Sequence, residues 1–150
     1  MTRFAPAIYP LTVYFDATCP LCTAEMGAMQ ARDTAGRLHL VDCSPAGFSN
    51  GPAPREALMR SLHAVDAAGR LRVGVDAIRA CRAAVGLPAG GALLDLPVIG
   101  RLADRAYAVL ARNRYRLPRW LVLRLAGHGA IAPTTCADNH CKLCKNSHRL

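Results

Sequence analysis

The sequence predicts an α/β fold: a β-α-β-(α)-β-β-α unit followed by a helical extension. Three observations carry this. Strict alternation in "LTVYFD" gives way at once to helical spacing. Two short alternating runs flank a glycine turn in "LHAVDAAGRLRVG". No strand pattern occurs between residues 89 and 127.

In "LTVYFD" at 11–16, Leu11, Val13 and Phe15 fall on one face and Thr12, Tyr14 and Asp16 on the other, as in a half-buried strand. A helix is expected from about Cys19 to Asp33. Cys22, Met26 and Met29 repeat at i, i+4, i+7 along its core stripe. Thr18 or Cys19 is its cap, and Pro20 suits the first turn, where no N–H is needed. "LHLVDC" at 38–43 reads as a second strand, "SPAGFSNGPAP" as a loop and "REALMRS" as a short helix. "LHAVDAAGRLRVG" reads as an antiparallel hairpin with Gly69 in its turn. In "VDAIRACRAAVGL", Ile78, Cys81 and Val85 mark an amphipathic helix that stops at Gly86 and Pro88. A parallel pair joined by a helix, then a hairpin and a helix, is the minimal thioredoxin-like order.

The segment at about 89–127 is helical throughout, broken in two by Pro118. Ile99, Leu102, Ala106 and Leu110 are its expected core stripe, and Arg101, Arg105 and Arg112 a second, solvated face. Residues 1–127 are therefore expected to form one domain, with 128–150 as a flexible Cys/His-rich tail.

A chain of 150 residues buries roughly 70% of its unfolded surface, so its core needs no disulfide or metal. The composition, 52% hydrophobic and 19% charged, is globular. The net charge of +9 favours acidic partners, yet no block of six like charges and no nucleic-acid module is present, so nucleic acid is not the expected partner. "MTRFAPAIYP" lacks the apolar stretch of a secretory signal, and no run of 18 apolar residues occurs. The expected address is cytoplasmic, with no membrane span. Thiols stay reduced there, so seven cysteines argue for chemistry or metal rather than structural disulfides.

Cys19 and Cys22 stand where strand gives way to helix. A thiolate attacks a disulfide, and a helix N-terminus stabilises a thiolate. On a redox reading Cys19 attacks, being the more exposed, and Cys22, one turn on, resolves the mixed disulfide. Half of a zinc site is the second reading, because another C-x-x-C exists at Cys141 and Cys144. A pair of ordinary packing thiols is the third. Spacing and context favour the first. Asp16, three residues before Cys19, either relays a proton to the pair or caps the loop. Its charge alone would raise the pKa of Cys19.

The motif "YFDATCPLC" resembles the D-x-x-C-x-x-C signature of the DCC family (DUF393), the thiol-disulfide oxidoreductase-like proteins. "SLHAVDAAGRLRVGVDAIRAC", with Gly74, Asp76 and Ala77 in its turn, is similar to that family's hairpin and helix. "RAYAVLARNRYRL" is similar to its late helix. The resemblance spans about residues 11–118. It implies a thioredoxin-like fold and protein-disulfide reductase-type activity, with Cys19, Cys22 and Asp16 as site residues. The implied partners are a disulfide-containing protein or small-thiol substrate and an external thiol reductant; no organic cofactor is required. One position departs from the thioredoxin-like pattern: "MRSLHAV" carries no proline before its strand.

The tail "CADNHCKLCKNSHRL" has three readings: a zinc site of Cys136, Cys141, Cys144 and His148, a redox relay to Cys19 and Cys22, or reduced thiols without a role. Cys43 and Cys81 are expected to be packing thiols, and His39 and His63 structural histidines. The expected function is a small thiol-disulfide oxidoreductase. The rival is a zinc-stabilised binding module with structural cysteines and a basic helical face.

Overall fold

In β1 (Leu11–Phe15) the alternation sends Leu11, Val13 and Phe15 into the core and leaves Thr12 and Tyr14 half-covered. This strand organises the sheet. A computed structural model describes residues 5–90 and 92–125. In it β1 pairs in parallel with β2 (Leu38–Asp42), Leu11 opposite Leu38 and Val13 opposite Leu40. On its other side it pairs antiparallel with β3 (His63–Val65), which pairs antiparallel with β4 (Leu71–Val73). The order is β2-β1-β3-β4. This mixed four-stranded sheet is compatible with a thioredoxin-like fold.

The helix α1 (Pro20–Arg32) makes the parallel crossover from β1 to β2. Met26 and Met29 are buried from it, while Cys22 is half-buried. The short α2 (Arg55–Arg60) contributes Leu58 to the interior. The helix α3 (Val75–Ala84) buries Ala77, Ala80, Cys81 and Ala84 against the sheet. Its small side chains let helix and sheet approach closely. As expected, Cys81 and Cys43 are fully buried packing thiols, raised by burial to about 12 and about 11 respectively. His63 is buried with its Nδ1 2.8 Å from Ser61 O, whereas His39 is exposed.

A buried ion network fixes the hairpin. The Asp66 carboxylate accepts from Ala68 N, Arg70 N and Arg70 Nε at 2.9–3.1 Å. Arg72, also buried, reaches Asp66 at 3.4 Å and Asp76 of α3 at 3.0 Å, tying hairpin to helix. Gly74 joins the two with φ 62°, its N–H donating to Leu62 O at 2.9 Å. A Cβ there would stand 3.2 Å from the Tyr107 ring, so both the backbone and the space call for glycine.

The extension forms a 3-10 turn (Ala92–Asp95), α4 (Pro97–Asn113), a second 3-10 turn (Arg114–Arg116) and α5 (Arg119–Leu125). Pro118 does separate two helices. The inward face of α4 differs from the expected one. Leu102 is 63% exposed and Ala106 is also exposed, while Gly100, Ala103, Tyr107, Leu110 and Ala111 turn inward with Ile99. The helix is rotated by roughly a fifth of a turn from the purely aliphatic stripe. The cause is polar. Tyr107 accepts a hydrogen bond from Leu62 N at 2.9 Å, just ahead of β3, and Arg114 continues the same face. Arg101, Arg105 and Arg112 are exposed, as a solvated face should be.

Replacing Tyr107 with phenylalanine leaves the Leu62 N–H without this acceptor. The Tyr107→Phe protein should lose about 1–3 kcal/mol in urea unfolding with the slope unchanged. A change below 0.5 kcal/mol, on the order of an ordinary surface substitution, would show that this bond does not anchor α4.

Candidate functional site

The loop after β1 is folded by Asp16, which is buried at the strand end. Its Oδ1 accepts from Thr18 N at 2.9 Å and Thr18 Oγ1 at 2.6 Å, and its backbone carbonyl accepts from Cys19 N at 3.2 Å. This turn delivers Cys19 to the N-cap of α1. There its Sγ accepts from Cys22 N at 3.3 Å, and Pro20 opens the helix. Thr23 Oγ1 closes the turn onto Ala17 O at 3.1 Å and Cys19 O at 3.0 Å. Asp16, Cys19 and Cys22 are thus brought together.

Two further residues complete the cluster, both contributed by the turn after α4. Arg114 is buried, with Nη2 3.1 Å from Asp16 Oδ2 and Nη1 3.9 Å from Cys22 Sγ. It also donates to Met59 O and, at 3.0 Å, to Tyr115 OH. The Tyr115 hydroxyl in turn donates to Asp16 Oδ2. One carboxylate therefore does two things: Oδ1 shapes the loop, and Oδ2 anchors the arginine and the phenol. The sequence did carry a signal for Arg114. It lies seven residues after Tyr107 on the inward face of α4, and a charged residue at a core-facing position calls for a buried partner.

Electrostatics separate the two thiols. The hydrogen bond from Cys22 holds the Cys19 thiol down at about 7. Burial opposes this, and the Cys22 N–H and the Arg114 charge assist. Cys22 is pushed far up, first by giving its hydrogen bond to Cys19, then by burial and by the charge of Cys19. Burial alone would raise Asp16, but Thr18, Tyr115 and Arg114 outweigh it and hold the carboxyl below the usual range. With Asp16 ion-paired to Arg114, its negative charge no longer dominates at Cys19.

Access runs opposite to expectation. Cys19 is 0% exposed and Cys22 only half-buried, so the first cysteine is not the more accessible one. The reason is α5. Val122 packs with Cys19 and Leu21, and Leu117 and Leu110 border the same cluster. On the other side, Cys22 opens on an apolar cavity between α1, α2 and α4, lined by Met26, Leu58, Leu62, Ile78 and Leu110, with Glu25 and Arg114 at its margin. Burial raises the Glu25 pKa.

Among the described residues no three His, Cys, Asp or Glu side chains are grouped to hold a metal ion. The expected zinc ligands Cys136, Cys141, Cys144 and His148 lie outside the described residues. Among the described residues no helix is long and apolar enough to cross a membrane.

A C-x-x-C pair at a helix N-terminus, beside a buried cation, is an arrangement that favours a thiolate at the first cysteine. A family model described as DCC1-like thiol-disulfide oxidoreductase matches residues 13–120, and the chain belongs to that family. That description supports a redox thiol function at the level of the family. An uncharacterized chloroplastic protein of Arabidopsis thaliana is similar to the chain, 29% identical over 116 residues that cover 75% of the chain and 54% of the relative. The chain thus spans about half the length of the curated relative it matches. No solved structure shows a significant match.

Charge and access at Cys19 can be measured apart. Alkylation of Cys19 in the reduced protein should rise with pH through a midpoint of about 7. Arg114→Gln should move that midpoint upward by about one unit, since a cation beside a thiolate favours the charged form. An unmoved midpoint would remove Arg114 from the electrostatics of the pair. Val122→Ala should instead leave the midpoint in place and speed alkylation about tenfold or less, by thinning the cover alone. Equal rates in wild type and Val122→Ala would mean that α5 does not limit access.

Proposed function

We propose that the chain is a thioredoxin-like thiol-disulfide oxidoreductase of the protein-disulfide reductase type, working through Cys19 and Cys22. The observation that carries this reading is the state of Cys19 Sγ. It lies at the N-cap of α1, accepts the Cys22 N–H at 3.3 Å, and has its thiol pKa lowered to about 7.

The Cys19 thiolate attacks one sulfur of a substrate disulfide. A Cys19–substrate S–S bond forms, and the other substrate sulfur leaves as a thiolate that takes a proton from water. Cys22 then loses its proton and attacks Cys19 Sγ, closing the Cys19–Cys22 disulfide and releasing the second substrate thiol. Two electrons have moved from the pair to the substrate, and an external thiol reductant restores the pair. No organic cofactor enters these steps. The switch in acidity is built into the pair. While Cys19 is a thiolate, Cys22 holds its proton in the hydrogen bond; once Cys19 is in a mixed disulfide, that charge is gone and Cys22 ionises more easily.

Asp16 acts as a positioning residue. Its pKa is depressed and both its oxygens are engaged, which makes it a poor proton acceptor and a good brace for loop and arginine. Arg114 and Tyr115 are positioning residues of the same kind. Substrate reaches Cys19 when α5 yields. This chemistry suits a thiol-reducing compartment, the cytoplasm in the first instance; the plant relative is named as chloroplastic.

Trapping tests the roles. With a model protein disulfide, Cys22→Ser should accumulate a mixed disulfide at Cys19, because the resolving thiol is gone. Cys19→Ser should trap little. The reverse pattern would exchange the roles, in line with the greater exposure of Cys22. Trapping by neither variant, with both folded, would sink the oxidoreductase reading.

A further inference from the structure

An open groove of about 410 Å³ runs between α2 and α4, beside the thiol site. Its walls include Arg60 and Ser61 at the end of α2, Tyr107 and Arg112 on α4, and Arg114 and Tyr115 after it. Among the described residues no carboxylate lines it. Arg112 is exposed and, among the described residues, has no ion pair. Arg60 has only a solvent-exposed contact with Glu56 at 3.7 Å, with side chains 79% and 86% exposed. Such a contact holds an arginine weakly, so both guanidinium groups are available to an anion.

The groove also adjoins the redox pair. Arg114 forms part of its wall and places Nη1 3.9 Å from Cys22 Sγ. Ser61, Tyr107, Ala111 and Arg114 line both this groove and the cavity at Cys22. A ligand in the groove thus lies against Arg114, whose guanidinium contacts Cys22 Sγ. Planar guanidinium forks match carboxylates in two parallel hydrogen bonds. The Ser61 hydroxyl and the Tyr107 and Tyr115 rings offer polar and flat surfaces suited to a peptide.

We propose that this groove binds the carboxylate end of a small peptide disulfide beside the pair, its S–S bond meeting Cys19 when α5 yields. Arg60 and Arg112 hold the carboxylates. The substrate class is therefore anionic low-molecular-weight disulfides. The inference rests on the oxidoreductase reading for its chemistry, but the anion site stands on the groove alone. The reaction is that of the pair: the reduced dithiol and one peptide disulfide give the Cys19–Cys22 disulfide and two peptide thiols. A dithiol such as dithiothreitol supplies the electrons for further turnovers.

The test is single-turnover oxidation of the pre-reduced protein by glutathione disulfide, which is anionic, and by bis(2-hydroxyethyl) disulfide, which is neutral. A second measurement titrates S-methylglutathione, which cannot exchange, into the full-length protein. In the double variant Arg60→Gln, Arg112→Gln, the ratio of the glutathione-disulfide rate to the neutral rate should fall about tenfold or more. That is the loss expected for one carboxylate contact worth about 1.4 kcal/mol. S-methylglutathione binding should weaken by a similar factor, and raising the salt concentration should mimic both effects on the wild type. An unchanged ratio together with unchanged binding overturns the groove. If the wild type reduces neither disulfide while S-methylglutathione binds and the double variant abolishes binding, the groove stands and the oxidoreductase reading falls.

Discussion

The site depends on keeping one guanidinium out of water. Arg114 is buried between the carboxylate of Asp16 and the sulfur of Cys22, with the phenol of Tyr115 closing the ring. A buried cation is tolerated only where it is paired and hydrogen-bonded, and that demand places strict conditions on its surroundings. Asp16 must be ionised and fixed in place. The loop from Asp16 to Cys19 must hold one shape. The last turn of α4 must dock at one depth, which the bond from Leu62 N–H to Tyr107 helps to set. Taking any of these away would leave a charge buried without its partner. Loop, helix and thiol chemistry are therefore solutions to a single electrostatic problem.

The geometry divides reactivity from access. Cys19 is the acidic thiol and is fully covered; Cys22 is the reluctant thiol and is partly open. An exposed thiolate is easily lost to small electrophiles and oxidants. The apolar cover of Val122 and its neighbours lies on the sulfur with the greater thiolate fraction. Under the proposed chemistry, movement of α5 and engagement of substrate become linked events.

Much of this was legible in the sequence because it depends on local signals. Alternation in 11–16 marks β1, the Pro20 start marks α1, and the Gly69 turn marks the hairpin. The C-x-x-C spacing places both thiols by helix geometry alone. What was not legible depends on contacts across the chain. An aliphatic count picks the wrong stripe on α4 because a tyrosine and an arginine, polar by composition, are the residues that turn inward. Likewise the burial of Cys19 is decided by a helix a hundred residues away, and no local pattern reports that. Arg114 sits in a run of basic residues that reads as solvated; only its seven-residue interval from Tyr107 separates it from Arg112 and Arg116.

The partners at the two ends of the ion pair, Asp16 and Arg114, are separated by 98 positions. During synthesis Cys19 and Cys22 emerge well before the arginine and the covering helix. Until that later stretch has docked, Cys19 lacks both its cation and its cover. The nascent chain thus carries a thiol of more ordinary acidity. The acidic thiol and its apolar shield arrive together, with the same few residues, so docking of Arg114 and α5 sets both the charge and the access of Cys19.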